Sequence, residues 1–442
     1  MKTVKLLLLC LLALALLTSC AAGSPSVPSD ESDPSEVPSP AEPSPDEPSV
    51  GEPSPEEPSP EEEIELPELT PTAYALDETI LQNSLVSTGN SYRFARAFAK
   101  AARGEAVTVA AIGGSITEGF NASNRASNTY GAKLVTWMKE FFGNNKITLV
   151  NAGESGTPSK LGVMRVSKQV LDESPDIVLI EFAVNDSSDA DSNTAYESLT
   201  RKILNSGTQP AVALLFTVTE TGYSNQANMQ KTGEHYGLPM VSVPDSIYLE
   251  VKEGRMLWDD YSDDDVHPST EGHAMLGAML GYCFEAVYNS ARENPPEPYT
   301  VPEDTVFGDY YEDIVFVNQQ DDTGAVVGSF TAETNDTKPL WAGGWKRVEN
   351  SGNDPFMIEV TAKEVFLLYW ATPGYGKPAG GVADVSVNGG EPVSVNSGTS
   401  WGSPLQQSLW KADTAEALNI SVSMQPDSDA NPFWILGFAY IP

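Results

Sequence analysis

Between residues 106 and 290, segments typical of strands alternate with segments typical of helices, and this alternation is the strongest constraint on the fold. The strand segments are short apolar runs rich in β-branched residues, and the helix segments repeat apolar residues every three to four positions. Strands are predicted at residues 107–112, 147–151, 176–182, 212–216 and 240–243. Helices are predicted at residues 130–142, 161–171, 194–204, 226–236 and 270–288. Strict alternation indicates parallel βαβ units, so we predict a three-layer α/β/α, doubly wound parallel sheet over residues 70–295.

A serine follows the first predicted strand directly. The strand ends in Gly113-Gly114, and Ser115 is the next residue. Glycine permits a sharp exit from a strand and lets a ligand approach the backbone. Ser115 should therefore lie at the carboxyl end of a parallel strand, where open α/β sheets bind their ligands. Taken alone, this stretch is better explained by a glycine turn that exposes an ordinary serine.

Loops further along the chain place candidate functional residues at the same edge of the predicted sheet. Gly153 follows the second strand, Asn185 follows the third, and the loop before the last helix contains Asp264 and His267. The carboxyl ends of parallel strands meet at one edge. We therefore expect these four loops to form a single site with Ser115.

These loops resemble the four conserved blocks of the SGNH/GDSL hydrolase superfamily of esterases and acylhydrolases. GGSIT contains Ser115, NAGESGT contains Gly153, AVND contains Asn185, and DDVH contains Asp264 and His267. The resemblance covers residues 105–290 and implies the flavodoxin-like fold of SGNH hydrolases and the hydrolysis of carboxylic esters. The chain departs from the family pattern at two positions. Gly114 replaces an Asp found in many members, and Ala183 replaces the usual Gly.

The resemblance also implies a role for each residue. Ser115 would be the nucleophile, His267 its general base and Asp264 the group that orients the imidazole. A hydroxyl needs a base to take its proton, and imidazole titrates near neutral pH. Asp264, three residues before His267, can reach back to Nδ1 and leave Nε2 for the serine. The implied oxyanion hole consists of the Ser115 amide, the Gly153 amide and the Asn185 side chain.

Neither a metal nor a cofactor is predicted. The acidic loop at residues 259–265 lacks the glycine and the ligand spacing of an EF-hand, and no histidine pair has metal-ligand spacing. Gly113-Gly114 lacks the lysine of a phosphate-binding loop. His273, inside the last helix, is expected to pack or to support the site, and His235 has no acidic partner suited to a triad.

The amino terminus has the pattern of a bacterial lipoprotein. Lys2 and Lys5 precede an apolar run at residues 6–17, which is too short to span a bilayer but suits an export signal. The following LTSC resembles a lipobox, which implies that residues 1–20 are a signal peptide and that Cys20 carries the lipid. We therefore expect an extracytoplasmic protein anchored at the cell surface. The alternative is an ordinary cleaved signal with an incidental cysteine.

Residues 21–69 form a predicted disordered linker. They contain repeats of Pro, Ser and Glu, with 15 acidic residues and no Lys or Arg. Such a segment cannot bury a core, and its prolines and like charges keep it extended. The formal net charge of the whole chain is −37, which argues against nucleic acid as a partner.

The chain changes character after NPPEP at residues 294–298. Beyond this boundary, short strand-like runs at residues 365–370, 382–387, 418–422 and 433–440 are separated by turn residues. This spacing predicts a β-sandwich-like accessory domain at residues 300–442. Six tryptophans lie in this domain. Core packing is the preferred interpretation of these tryptophans, and sugar binding is the alternative.

These observations predict a membrane-anchored serine esterase whose substrate is an acylated polysaccharide, most simply one with O-acetyl groups. One alternative is a lipase or lysophospholipase acting on other acyl esters. Another is a catalytically inactive, glycan-binding surface lipoprotein. The presence of Ser115, Asn185, Asp264 and His267 argues against the inactive form.

Overall fold

The computed structural model describes residues 64–333, 339–348, 351–374, 379–428 and 430–442. These described residues form one compact unit. The predicted signal peptide, Cys20 and the linker up to residue 63 lie outside the described residues. Among the described residues, no helix combines the length and the apolar composition that crossing a bilayer requires.

The amino-terminal domain is built on a six-stranded sheet. Its strands are β1 (Leu85–Ser87), β2 (Val107–Gly113), β3 (Ile147–Gly153), β4 (Ile177–Glu181), β5 (Ala211–Phe216) and β6 (Met240–Ser242). They lie in the order β1-β6-β5-β4-β2-β3, and all neighbours are parallel except β1, which pairs antiparallel with β6. The parallel strands thus have the doubly wound order of flavodoxin-like folds, as predicted.

Helices connect these strands at the predicted places. They are α1 (Glu78–Ser84), α2 (Tyr92–Ala102), α3 (Ser115–Glu118), α4 (Arg125–Asn128), α5 (Tyr130–Phe142), α6 (Ser159–Gln169), α7 (Ala190–Leu204), α8 (Gln226–His235), α9 (Ile247–Lys252) and α10 (Thr270–Glu293). The predicted boundaries differ by a few residues at most of these ends. The short elements α1, α3, α4, α9 and β1 were not predicted, because each has at most seven residues and is too short to show a periodicity.

The strand β2 shows how the three layers form. Val107, Val109 and Ala111 pack on one face of the sheet in a cluster with α2, α5 and α10. Ala110 and Ile112 pack on the opposite face with α6 and α7. Because successive side chains of a strand point to opposite faces, helices cover the sheet on both sides. The predicted three-layer α/β/α architecture is confirmed.

The carboxyl-terminal domain is all-β, as predicted. Its strands are β7 (Val315–Val317), β8 (Phe330–Glu333), β9 (Gly344–Arg347), β10 (Phe356–Pro373), β11 (Val382–Val387), β12 (Val393–Asn396), β13 (Gly398–Thr399), β14 (Ser403–Met424) and β15 (Trp434–Ile441). The main path of the sheet is antiparallel, in the order β12-β11-β14-β10-β15-β9-β8. Phe330 in β8 and Val395 in β12 belong to one buried cluster. Since these strands lie at opposite ends of the sheet, the sheet must curl around that cluster.

Two predicted short strands are parts of much longer ones. Strand β10 has 18 residues and β14 has 22, and they pair along most of their length. The sequence pattern breaks in β10 because Glu364 interrupts the apolar residues. This carboxylate is 3% exposed and accepts hydrogen bonds from Tyr310 Oη at 2.8 Å and Lys411 Nζ at 3.0 Å. Irregular register beside Glu364 lets the long strands bend.

The two domains share a hydrophobic core. Phe366 and Leu368 of β10, with Leu436 and Ile441 of β15, belong to the same buried cluster as α6 and α7. The predicted boundary follows the end of α10 at Glu293, but the apolar packing continues across it. The β domain therefore covers one helical layer of the α/β domain.

Candidate active site

The nucleophile candidate lies at a tight turn between β2 and α3. Strand β2 ends at Gly113, Gly114 caps the helix, and Ser115 is its first residue. A Cβ atom on Gly113 would lie 2.0 Å from Thr117 Oγ1, and one on Gly114 would lie 2.2 Å from Asn185 Oδ1. At Gly113 a Cβ atom would also lie 2.4 Å from the Glu181 carbonyl oxygen, so this position requires glycine. At Gly114 the nearest atoms belong to the Asn185 side chain, so a larger residue there would require Asn185 to move.

The structure brings Ser115, His267 and Asp264 together as predicted. Ser115 Oγ lies 2.9 Å from His267 Nε2, and His267 Nδ1 lies 2.9 Å from Asp264 Oδ2. Ser115 and His267 are 152 positions apart in the chain. The arrangement places a base on the hydroxyl and a carboxylate on the far side of the base, which is the geometry that activates a serine.

Asp264 is held as a charged acceptor. Burial opposes ionisation, but the amides of His267 and Val266, at 2.6 and 2.8 Å, and the imidazole lower the pKa of Asp264 to about 2. Asn121 Nδ2 donates a further hydrogen bond to Asp264 Oδ2 at 3.0 Å. The carboxylate is thus ionised throughout the neutral range and oriented from several sides.

Two supporting residues were not identified from the sequence. Asn121 has a positive φ of 65°, which directs its side chain towards Asp264. The Phe120 ring lies 4.4 Å from the His267 ring, measured between centroids. Both belong to the loop after α3, and their positions depend on the meeting of two loops that are distant in sequence. A polar loop after a serine motif gives no signal of this kind.

The other histidines lie away from the serine hydroxyl. His273 is fully buried, packs near Tyr130 and places Nε2 3.3 Å from the Phe120 carbonyl. Burial lowers the pKa of His273 to about 4. It thus supports the loop behind His267. His235 Nε2 lies 2.8 Å from the carbonyl oxygen of Asp304.

The predicted oxyanion donors have different environments. Ser115 begins α3, so its amide has no acceptor within that helix. The Gly153 amide instead donates to Asn151 Oδ1 at 2.9 Å. Gly156, three residues later, is exposed with a φ of +72°. Among the hydrogen bonds of the described residues, none uses the Gly156 amide, so this amide is a second candidate donor in the same loop. The role of Gly153 stays a prediction.

The predicted asparagine donor is half-buried, and Ala183 close to it in the sequence is fully buried. Asn185 Oδ1 has no hydrogen-bond partner among the described residues and packs against Gly114. Ala183 is fully buried in the core cluster shared with α6 and α7. Its methyl group therefore contributes to packing below the site.

A buried glutamate lies beneath the nucleophile turn. Glu181, at the end of β4, is fully buried and accepts hydrogen bonds from Thr217 Oγ1 at 2.7 Å and Thr117 Oγ1 at 3.0 Å. Burial raises the pKa of Glu181, and these hydroxyls and the amides of Gly114 and Thr117 oppose that rise. Glu181 thus ties the turn that carries Ser115 to the neighbouring strands β4 and β5.

Asp186, beside Asn185, is a second buried carboxyl group. Its Oδ1 accepts the Ser159 amide at 2.8 Å, while Oδ2 has no partner among the described residues. The hydroxyl of Tyr196 is also buried without a partner there. Burial raises the pKa of Asp186 to about 7.

Residues of the acidic loop at 259–265 support the position of Asp264 and His267. Asp260 caps the turn at Leu257, Trp258 Nε1 donates to the Asp264 carbonyl at 2.7 Å, and the Asp264 carboxylate contacts His267. Among the described residues, no group of three or more His, Cys, Asp or Glu side chains is arranged to hold a metal ion.

Comparison with known proteins identifies the α/β domain. The model of the GDSL-like lipase/acylhydrolase family matches residues 111–275, a range that contains all the predicted active-site residues. Among curated proteins, none matches the sequence significantly.

Solved structures resemble both domains of the chain. The chain is 28% identical to a two-domain esterase (CEX) active on acetylated mannans, with a TM-score of 0.72 over 81% of this chain and 98% of that one. A second structure, of such an esterase co-crystallised with mannopentaose, is 27% identical, with a TM-score of 0.71 over 81% of this chain and 97% of that one. Residues 111–275 thus match the GDSL-like lipase/acylhydrolase family, and the protein is an ester hydrolase.

Proposed function

We propose that this protein is a serine esterase that removes O-acetyl groups from polysaccharides. The observation that carries the proposal is the likeness, across both domains, to a two-domain esterase active on acetylated mannans. Since the likeness covers 81% of the chain, it includes the β domain as well as the α/β domain. An acetylated mannan is therefore the first substrate to test.

The hydrogen bonds of the site support an acyl-enzyme mechanism. Ser115 Oγ attacks the acetyl carbonyl carbon while its proton passes to His267 Nε2, which lies 2.9 Å away. The charged Asp264 stabilises the imidazolium that forms. The Ser115 amide, the Asn185 side chain and an amide of the loop at Gly153 and Gly156 donate to the oxyanion. Collapse of the tetrahedral intermediate transfers the imidazolium proton to the sugar oxygen and leaves acetyl-Ser115.

The second half of the reaction reverses these roles. His267 takes a proton from water, and the resulting hydroxide attacks the acetyl-Ser115 carbonyl. The same donors stabilise the second oxyanion. When the intermediate collapses, Ser115 Oγ recovers its proton from His267 and acetate leaves.

An exposed aromatic residue beside the loop of Gly153 and Gly156 supports a sugar substrate. Trp401 of the β domain is 49% exposed, whereas Trp341 and Trp345 are buried. Its ring packs directly on Gly156, where a Cβ atom would lie 1.9 Å from Cη2. An exposed tryptophan face offers a stacking surface for a pyranose ring. Trp401 would thus hold a sugar beside the ester bond.

The polar loops around Ser115 and Asn185 support a short acyl group. They carry side chains suited to hydrogen bonding, namely Asn121, Ser123, Asn124, Arg125, Ser187, Ser188 and Asp189. Some of these groups bond within the protein, as Asn121 does with Asp264. A long acyl chain would gain about 0.8 kcal/mol per buried CH₂ in an apolar groove, and polar loops offer little of that gain.

We also propose that a lipid on Cys20 anchors the enzyme outside the cytoplasm. The apolar run at residues 6–17 and the LTSC sequence support this location. The acidic, proline-rich linker would separate the active site from the membrane.

Acetate release from acetylated polysaccharides tests the proposed function. Wild-type protein and Ser115→Ala would be incubated with acetylated mannan and acetylated xylan, with circular dichroism as the folding control. Wild type should release acetate, and the folded variant should release none. Esters of p-nitrophenol from acetyl to octanoyl would be measured in parallel, and the rate should fall steeply with chain length.

The same experiment separates the proposal from its main alternative. A preference for octanoyl esters, without acetate release from either polysaccharide, would assign the protein to lipases or lysophospholipases. A folded, fully active Ser115→Ala variant would remove Ser115 from the mechanism.

A further inference from the structure

Trp341 of the β domain reaches into the α/β domain next to the active site. It lies in a short 3₁₀ turn at Pro339–Trp341 and is 2% exposed. Its Nε1 donates a hydrogen bond of 2.9 Å to Glu154 Oε2, and Glu154 is also 2% exposed. This contact joins a buried carboxylate of one domain to a buried donor of the other.

Glu154 belongs to the loop that carries the candidate oxyanion amides. We call residues 153–157 the oxyanion loop. The Glu154 amide donates to the Gly113 carbonyl at 3.1 Å, and the Glu154 carbonyl accepts from Thr157 Oγ1 at 2.8 Å. Glu154 is therefore fixed at both its backbone and its side chain. Any shift of Glu154 would also move the amides of Gly153 and Gly156.

A second connection runs from the same turn to the ends of the strands. Leu340 O accepts Gln169 Nε2 at 2.5 Å, and Gln169 Oε1 accepts Arg165 Nη1 at 2.7 Å. The fully buried Arg165 donates to the carbonyls of Ala152 at 2.6 Å and Gly113 at 3.0 Å. Arg165 thus links the ends of β2 and β3, from which Ser115 and the oxyanion loop follow.

The buried charges of Glu154 and Arg165 explain why the N–H group of Trp341 is needed to hold Glu154 in place. Burial lowers the pKa of Arg165 to about 10, and the Glu154 carboxylate opposes that shift. A buried carboxylate is costly unless each oxygen has a donor or a cation. Without the Trp341 N–H group, Glu154 would turn towards its remaining partners and move the oxyanion loop with it.

We propose that Trp341 is a positioning residue for ester hydrolysis, acting through Glu154 on the oxyanion loop. The proposal rests on the serine-esterase mechanism given above. It makes the β domain a part of the catalytic apparatus for every ester, including small ones that never contact that domain. Binding of a polysaccharide by the β domain is a separate property.

Trp341→Phe tests this role, because it keeps an aromatic ring and removes the N–H donor. Hydrolysis of p-nitrophenyl acetate would be measured per active site, after titration of the sites with a fluorophosphonate. We expect kcat to fall about 10- to 100-fold with KM changed less than about threefold, since a displaced donor weakens mainly the transition state. The inhibition constant of phenylboronic acid, which forms a tetrahedral adduct with a serine, should rise in parallel.

Trp345→Phe provides the matched control. Trp345 is also buried in the β domain, but it packs on Phe356 in the separate cluster inside the curled sheet. This variant should keep the wild-type kcat per titrated site. Equal losses in Trp341→Phe and Trp345→Phe would indicate general damage to the β domain and overturn the proposal.

Substitutions of Glu154 test the hydrogen bond between Trp341 and Glu154 through its acceptor. They also test the positioning role if Trp341→Phe does not fold. Glu154→Gln keeps an acceptor for Trp341 Nε1 and should stay within about fivefold of wild-type kcat. Glu154→Met removes the acceptor and should lose about as much as Trp341→Phe.

Two results would have distinct meanings. Wild-type kcat and boronate affinity in Trp341→Phe, or in Glu154→Met, would overturn the positioning role while leaving the esterase mechanism intact. Absence of ester hydrolysis by the wild-type protein itself would instead overturn the proposed function.

Discussion

The buried carboxyl group of Asp186 gives a quantitative prediction about stability. Burial raises the pKa of Asp186 from 3.8 to about 7 in the folded protein. Between about pH 4 and pH 7, the folded protein therefore binds more protons at this group than the unfolded chain does. Stability from this group must fall as the pH rises through that window. At 1.36 kcal/mol per pKa unit, the loss amounts to about 4 kcal/mol.

Asp186→Asn should remove this loss, because an amide does not ionise. Its oxygen can still accept the Ser159 amide, which lies 2.8 Å from Asp186 Oδ1. Its NH₂ group would face the buried hydroxyls of Ser159 and Tyr196, which have no partner among the described residues. The variant should therefore be about as stable as wild type near pH 4.5 and more stable by up to about 4 kcal/mol near pH 8.

Urea unfolding followed by tryptophan fluorescence would measure this difference at both pH values. Surface Asp172→Asn controls for the loss of one negative charge. The prediction is that the stability difference between Asp186→Asn and wild type increases from pH 4.5 to pH 8, whatever its value at pH 4.5. A stability difference that is the same at pH 4.5 and pH 8 would refute the assignment of a raised pKa to Asp186.

Four further predictions concern activity and location. His267→Ala should lose most of kcat, whereas His273→Gln should lose far less, as measured with p-nitrophenyl acetate; the reverse order would show that the base is misassigned. Asp264→Asn should lower kcat by up to about 10,000-fold, as the equivalent change does in a serine protease, and a loss below tenfold would contradict its orienting role. Trp401→Ala should slow acetate release from acetylated mannan more than hydrolysis of p-nitrophenyl acetate, and equal slowing would argue against sugar stacking. Cys20→Ser should move active enzyme from the membrane fraction to the soluble fraction, whereas retention after cleavage of the leader would argue against the lipid anchor.

The sequence predicts the α/β domain well because two kinds of local signal agree there. Buried parallel strands read as apolar runs, and helices between them keep their periodicity. The polar residues that follow each strand then identify the edge where Ser115, Asn185 and His267 meet. Since that edge is set by the direction of the strands, the site could be predicted without any knowledge of distances.

Contacts between distant loops could not be predicted in this way. Asn121 is one of several polar residues after Ser115, and only the folded chain shows that it contacts Asp264. The bond from the Gly153 amide to Asn151 depends similarly on the local path of the backbone. Trp341 resembles any core tryptophan in sequence, because its partner Glu154 lies 187 positions away. Such residues can be recognised only from the hydrogen bonds that they form in the folded chain.

The β domain was harder to predict because its long strands carry polar residues inside the protein. Glu364 is buried in the middle of β10, so the apolar alternation stops and begins again. The pairing of Glu364 with Lys411 and Tyr310 compensates for its burial. The predicted strand at residues 365–370 is therefore only a part of the long strand β10.

The shared core between the domains limits how genes for such enzymes can recombine. Phe366 and Leu368 belong to the same buried cluster as Leu161 and Val163 on α6. A hydrolase domain joined to an unrelated carbohydrate-binding module would leave part of this cluster exposed to water or against a surface that does not fit it. Exposed apolar surface of that kind favours aggregation. The two domains should thus be exchanged in evolution as one cassette, with substitutions on α6 and β10 accumulating together.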